Sequence, residues 1–135
     1  TDLGLWLPTA IRENEQAVEI FGKTFEHLEG FQIKLAELFR LDDEGVPFHI
    51  KKVITSAMRR IAPIGLATTI GWSANPRTIR WTLEMRTHPS AEEEIRLVFG
   101  KVGEIVAKRY PHLFGDFTVT MEGGLPWYQP KNSKV

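Results

Sequence analysis

Three arginines, Arg59, Arg77 and Arg86, flank a mostly apolar twelve-residue run from Ile61 to Trp72 and a helix start marked by Asn75-Pro76. The planar guanidinium grips phosphate with paired, charge-assisted hydrogen bonds, and the first turn of a helix offers unsatisfied N–H groups to an anion. Together they suggest a nucleotide or dinucleotide site between the helix that carries Arg59, the apolar run and the helix that Asn75 opens. Each arginine taken alone is also readable as half of a surface ion pair of small energetic weight. Arg77 differs in kind, because a cation in the first turn opposes the helix dipole. An anion between the two would resolve that conflict.

Composition limits the alternatives. The 135 residues, 42% hydrophobic and 25% charged, fit one ordinary globular domain with a real core. Lys plus Arg and Asp plus Glu both total 17, so no overall field draws the chain to nucleic acid or to an anionic membrane. Any bound anion must be held by a local cluster. With no cysteine there is no disulfide, thiolate metal site or cysteine nucleophile, which fits a cytoplasmic protein. His27, His49, His88 and His112 show no metal-ligand spacing. The longest apolar stretch falls well short of the roughly 20 residues of a membrane helix, and no basic, apolar signal pattern opens the chain. The chain begins Thr1-Asp2 without Met, as a fragment would.

The elements that must position these residues follow from the apolar spacing. Leu3, Leu5 and Leu7 alternate before Pro8, as a short strand or extended lead-in. From about Ile11 to Phe39, apolar residues recur at three- and four-residue steps, which predicts a long amphipathic helix with a potential break at Gly30. Gly45 and Pro47 end it and start a second helix, FHIKKVITSAMRRI, with a basic stripe through Lys52 and Arg59. Ile64 to Ser73, rich in Ile, Thr and small residues, reads as a central strand buried on both faces.

The third helix is expected from Pro76 to about Arg86. At about 100° per residue, Arg77, Trp81 and Met85 share a stripe and Arg86 lies half a turn from Arg77. Ser90-Ala91-Glu92-Glu93 reads as a capping box opening a fourth helix, which ends near Lys108-Arg109 and Pro111. FTVT suits one short strand. The expectation is an α+β fold, predominantly helical with a central buried strand. Residues 1–135 form a single domain or the C-terminal fragment of one, with a mobile tail from about 122 to 135 unless Trp127 and Tyr128 pin it.

A wider pattern connects these pieces: Arg59-x-x-x-Pro63, Trp72-x-x-Asn75-x-Arg77, Met85-Arg86 and Ala91-Glu92-x-Glu94-Ile95-Arg96. Over roughly residues 55 to 116 it resembles the C-terminal half of the flavin-dependent thymidylate synthases. That family shows Ala-Arg-x-x-Leu-Pro, Asn-x-Arg at a strand-to-helix junction, Leu-Arg and Ala-Gln-x-Glu-Ile-Arg in the same order. Pro111-His112-Leu113-Phe114 resembles the proline and phenylalanine that follow. There are departures: Trp81 stands where the family has Asn or His, Glu92 where it has Gln, and the stretch from Gly45 to Arg59 is longer. The family's Arg-His-Arg-x-x-Ser-x-Asn-Glu-x-Ser-x-Arg-Tyr signature has no counterpart here.

The resemblance implies conversion of dUMP to dTMP, with methylene-tetrahydrofolate as one-carbon donor and NADPH reducing a bound FAD, in a homotetramer whose sites are shared between subunits. It places Arg59 and Arg86 at dUMP, with Arg86 in the catalytic role, and Asn75, Arg77, Trp81 and Met85 at FAD. Two alternatives stand beside it. Trp81 and Glu92 hint at a biosynthetic UMP or dUMP C5-methylase on the same fold, and the missing signature hints at a non-catalytic helical nucleotide-binding or oligomerisation module.

Overall fold

The computed structural model describes residues 5–133, which group into two compact units, one ending at Thr69 and the other beginning at Ile70. The fold is α+β and mostly helical, as expected. The first unit holds α1 (Thr9–Arg12), α2 (Glu15–Leu38), α3 (Phe48–Met58) and a 3₁₀ turn at Arg59–Ile61. The second holds α4 (Pro76–Arg86), α5 (Glu93–Arg109), α6 (Pro111–Phe114), β1 (Phe117–Glu122) and β2 (Leu125–Pro130).

In the first unit the expected long helix is continuous through Gly30, and the interruption falls instead near Asn14. There the Asn14 side chain accepts a hydrogen bond from the Ala17 N–H at 3.1 Å and caps α2. The helix ends at Phe39 and Arg40, whose φ of 50° lets the Leu41 N–H reach back to the Ala36 carbonyl. The Gln32 amide donates to the Met58 carbonyl at 2.9 Å and so terminates α3 from a neighbouring helix. Leu5 makes an isolated antiparallel bridge to Leu66, while Leu3 lies outside the described residues.

The central buried strand does not form. Among the described residues Ile64 to Ser73 has no ladder partner beyond that single bridge, and Ile64, Ile70 and Trp72 are exposed. The physical reason is pairing: a buried strand needs a strand on each side, and among the described residues β1 and β2 pair only with each other. The run instead contains the boundary between the two units.

The second unit has the core: Leu83, Val106, Phe114 and Tyr128, with Ile79, Phe99, Val102 and Phe117 packed around them. The stretch expected to be a mobile tail supplies one of these residues. Gly123 and Gly124 both take positive φ and turn β1 into β2, so that Val119 pairs with Tyr128 and Phe117 with Pro130. FTVT is therefore a strand, as the sequence suggested, and the tail is its partner.

The hairpin docks on α5 where two glycines leave room. A Cβ on Gly100 would meet Pro126 at 2.8 Å, and one on Gly103 would meet the Tyr128 ring at 2.5 Å. Arg96, 7% exposed, donates from Nε to the Thr87 carbonyl and from Nη2 to the Glu122 carbonyl at 2.7 Å. Fully buried Thr87 accepts the Tyr128 N–H at 2.9 Å and donates to Leu83 O. The capping box does not close, because Glu92 is the N-cap of α5 with no side-chain cap bond. Ser90 is engaged by His88 instead: its backbone N–H donates to Nδ1 at 3.1 Å, and its hydroxyl lies 2.7 Å from the same nitrogen.

Candidate functional site

The start of α4 forms as the sequence predicts. The Asn75 side-chain Oδ1 accepts from the Thr78 N–H at 2.9 Å, and Pro76 occupies the first helical position. Its first turn has no acidic residue, so the dipole's positive end is left uncompensated beside Arg77.

That face of α4 opens onto a cavity of about 770 Å³, within the size range of small-molecule sites. Pro76, Arg77, Arg80, Trp81 and Glu84 line one side. The other side comes from Leu113, Asp116, Pro130, Asn132 and Ser133. Arg77 is exposed and makes no ion pair or side-chain hydrogen bond among the described residues. Trp81 keeps 44% of its surface open, enough to present a ring face or edge to a ligand.

Arg80 does a different job. Its guanidinium donates to both Asp116 carboxylate oxygens at 2.6 and 2.7 Å, and its carbon sits 4.7 Å from the Phe117 ring centroid. It also donates to the Leu113 carbonyl. The Arg80 hydrogen bonds hold the Asp116 carboxyl below its usual range, and those bonds with the Asp116 charge raise the guanidinium pKa against a smaller opposing effect of burial. Arg80 is therefore a structural brace, whereas Arg77 beside it has no side-chain partner among the described residues.

The remaining expected site residues are distributed as follows. Met85 is exposed and does not line the cavity, and neither does Arg86, half a turn from Arg77. Arg86 sits in the last turn of α4, where a cation is favourable to the helix by itself. Arg59 belongs to the first unit, exposed in the 3₁₀ turn at the edge of a separate cavity of about 310 Å³ lined by Phe25, Leu28, Met58 and Leu66. The sequence reading missed the far wall, Asp116 and Pro130 to Ser133. The long-range Arg80–Asp116 pair has no spacing signature, and the wall exists only once the hairpin forms.

Arginine and tryptophan side chains thus line an open cavity at a helix start. The chain belongs to the thymidylate synthase complementing proteins, whose family model matches residues 2–112. Membership carries, at the level of the family, a thymidylate synthase-like function in nucleotide biosynthesis. The match extends upstream of the motif pattern at 55 to 116 and stops before the hairpin. No curated protein matches the chain. Among the described residues no group of His, Cys, Asp and Glu could hold a metal ion, and no helix is long and apolar enough to cross a membrane.

The donor set fits a flavin dinucleotide in kind. The Arg77 guanidinium, with its own backbone N–H in the first turn of α4, suits a phosphate, and Trp81 suits a ring; Pro76 has no N–H, and those of Thr78 and Ile79 are already bonded to Asn75.

Proposed function

We propose that this chain supplies nucleotide- and flavin-contacting residues of a flavin-dependent thymidylate synthase that methylates dUMP at C5, working in the cytoplasm as a homotetramer with shared sites. The observation that carries this reading is Arg77: an unpaired cation at the positive end of α4, beside the open face of Trp81, in a chain of this family. In this role the Arg77 side chain and backbone N–H hold a flavin phosphate, Trp81 and Asn75 border the cofactor, and Met85 lies on its periphery. Arg59 and Arg86 clamp the dUMP phosphate and polarise its base. Bound FAD supplies the hydride chemistry, with NADPH and methylene-tetrahydrofolate as co-substrates.

The exposed apolar surface of α2 and α3 supports the second reading, a non-catalytic helical oligomerisation or nucleotide-binding module. Neither helix contains a buried residue.

Flavin retention separates the two. The purified full chain is expected to take up FAD and show the flavin absorption band in the visible blue. Arg77→Glu should melt no lower than the parent without cofactor, because the dipole conflict is relieved, while its flavin content falls sharply. A variant that retains as much FAD as the parent removes Arg77 from the flavin site. A colourless, intact oligomer favours the non-catalytic module.

A further inference from the structure

The hairpin and the residues up to Ser133 follow the family-matched stretch, yet Pro130, Asn132 and Ser133 contribute to the cavity wall. Their placement is fixed. Arg96 and Thr87 tie down the turn and Tyr128, Asp116 is clamped by Arg80, and the Lys131 N–H donates to the Asp116 carbonyl at 3.1 Å. Pro130 to Ser133 is thereby held across from α4.

On α4, Arg77, Trp81 and Glu84 follow one another at i, i+4 and i+7 and share one face. Glu84 is half-buried, forms no salt bridge among the described residues although Arg80 lies near enough to feel its charge, and accepts the Ser133 hydroxyl at 3.2 Å. Asn132 lines the same cavity, and its amide has no hydrogen-bond partner among the described residues. A carboxylate is an acceptor only and can take two O–H donors at once. Dinucleotide-binding folds use that chemistry to hold a ribose diol. Arg77 and Glu84 are seven residues apart, about 10 Å along the helix, so one ligand carrying a phosphate at one end and a ribose further on can engage both.

We propose that Glu84, assisted by Asn132 and Ser133, forms a ribose-diol subsite, and that the C-terminal segment thereby makes this cavity selective for ribonucleotide over deoxyribonucleotide ligands. The inference rests on the reading that Arg77 holds a nucleotide phosphate here. It assigns the cavity to a ribose-bearing ligand rather than to the deoxyribose of dUMP.

The test is calorimetric titration of the full chain with ADP and with 2′-deoxy-ADP. ADP should bind about tenfold tighter or more, the change expected when a hydrogen bond to a charged group is lost. Glu84→Gln, checked for an unchanged melting temperature, should bring the two affinities to within about threefold. Asn132→Ala, at an exposed position, should weaken ADP more than its deoxy counterpart. Arg77→Ala should weaken both equally and leave their ratio intact. Equal affinities in the parent, or a ratio that survives Glu84→Gln, would overturn the diol subsite while leaving the phosphate reading in place. Arg77→Ala without effect on either nucleotide sinks the phosphate reading instead, and a parent that binds neither nucleotide overturns both.

Discussion

Gly103 and Tyr128 fit together because Gly103 lacks a side chain: a Cβ would stand 2.5 to 2.9 Å from three atoms of the Tyr128 ring. The ring has little room to yield, being buried and edge-on to Phe117 with centroids 6.0 Å apart. Alanine would gain up to about 1 kcal/mol of helix propensity. Overpacking costs about 1–3 kcal/mol and outweighs it. Gly103→Ala should therefore lower the melting temperature of the second unit by a few degrees. A variant as stable as the parent in urea unfolding would show that the ring moves aside freely.

Thr87 carries the other tie to Tyr128. Thr87→Val keeps the shape but strands the buried Tyr128 N–H, and should cost about 1–3 kcal/mol. Thr87→Ser, which keeps the hydroxyl, should recover most of it. Chemical denaturation of the three proteins decides whether the hydroxyl or the packing matters.

The Arg80–Asp116 pair predicts an acid-sensitive contribution. The folded-state pKa of Asp116 is depressed, so the stabilisation is complete above the ordinary aspartate range and is lost as pH falls through the depressed value. Both side chains are partly exposed, so the contribution is about 1 kcal/mol. Asp116→Asn should be less stable than the parent at pH 7, and the two should converge in strong acid. A gap that persists at low pH would mean that the carboxylate charge is not its source.

Asn75 has a capping role that can be separated from any ligand role. Asn75→Ala should cost about 1 kcal/mol of stability. Asn75→Asp retains an oxygen acceptor for the Thr78 N–H and should melt like the parent. If the Asp variant also keeps its flavin, Asn75 is a cap and nothing more.

The first unit predicts association. Ile20, Ile33, Leu38 and Phe48 are each at least half exposed, and no residue of α2 or α3 is buried. Apolar surface on that scale is rarely left to water in a soluble protein. Sedimentation should give a particle larger than 15.4 kDa, and Ile20→Glu with Phe48→Glu should shift it toward the monomer. A parent that sediments as a monomer removes the homotetramer from the proposed function.

Helices were legible because their periodicity and ends are written locally: α4 begins and ends at the expected Pro76 and Arg86. Asn75 and Pro76 settle the first of those positions from within a few residues. The apolar run at 64 to 73 was misread because β propensity says only that a segment suits a sheet, not that a partner strand exists. Of the two readings of the tail, the structure takes the one in which Tyr128 pins it. Glycine and proline suggested mobility, whereas Gly123 and Gly124 make a tight turn and Pro126 packs against Gly100. Arg77 and Trp81 line one cavity because they share one helical face. Glu84 and Ser133, 49 residues apart, meet only through tertiary structure.

Arg96 is permanently charged, nearly buried and satisfied by backbone carbonyls drawn from two places, the end of α4 and the hairpin turn. Peeling the hairpin away would leave that guanidinium with one acceptor instead of three. The hairpin therefore lacks a cheap local opening mode, and its amide protons should exchange with deuterium only when α4 and α5 also let go. Slow, matched exchange across the Tyr128 amide and the middle of α5 would mark residues 70 to 133 as one cooperative unit, in which the far wall of the cavity is as firm as the helix that faces it.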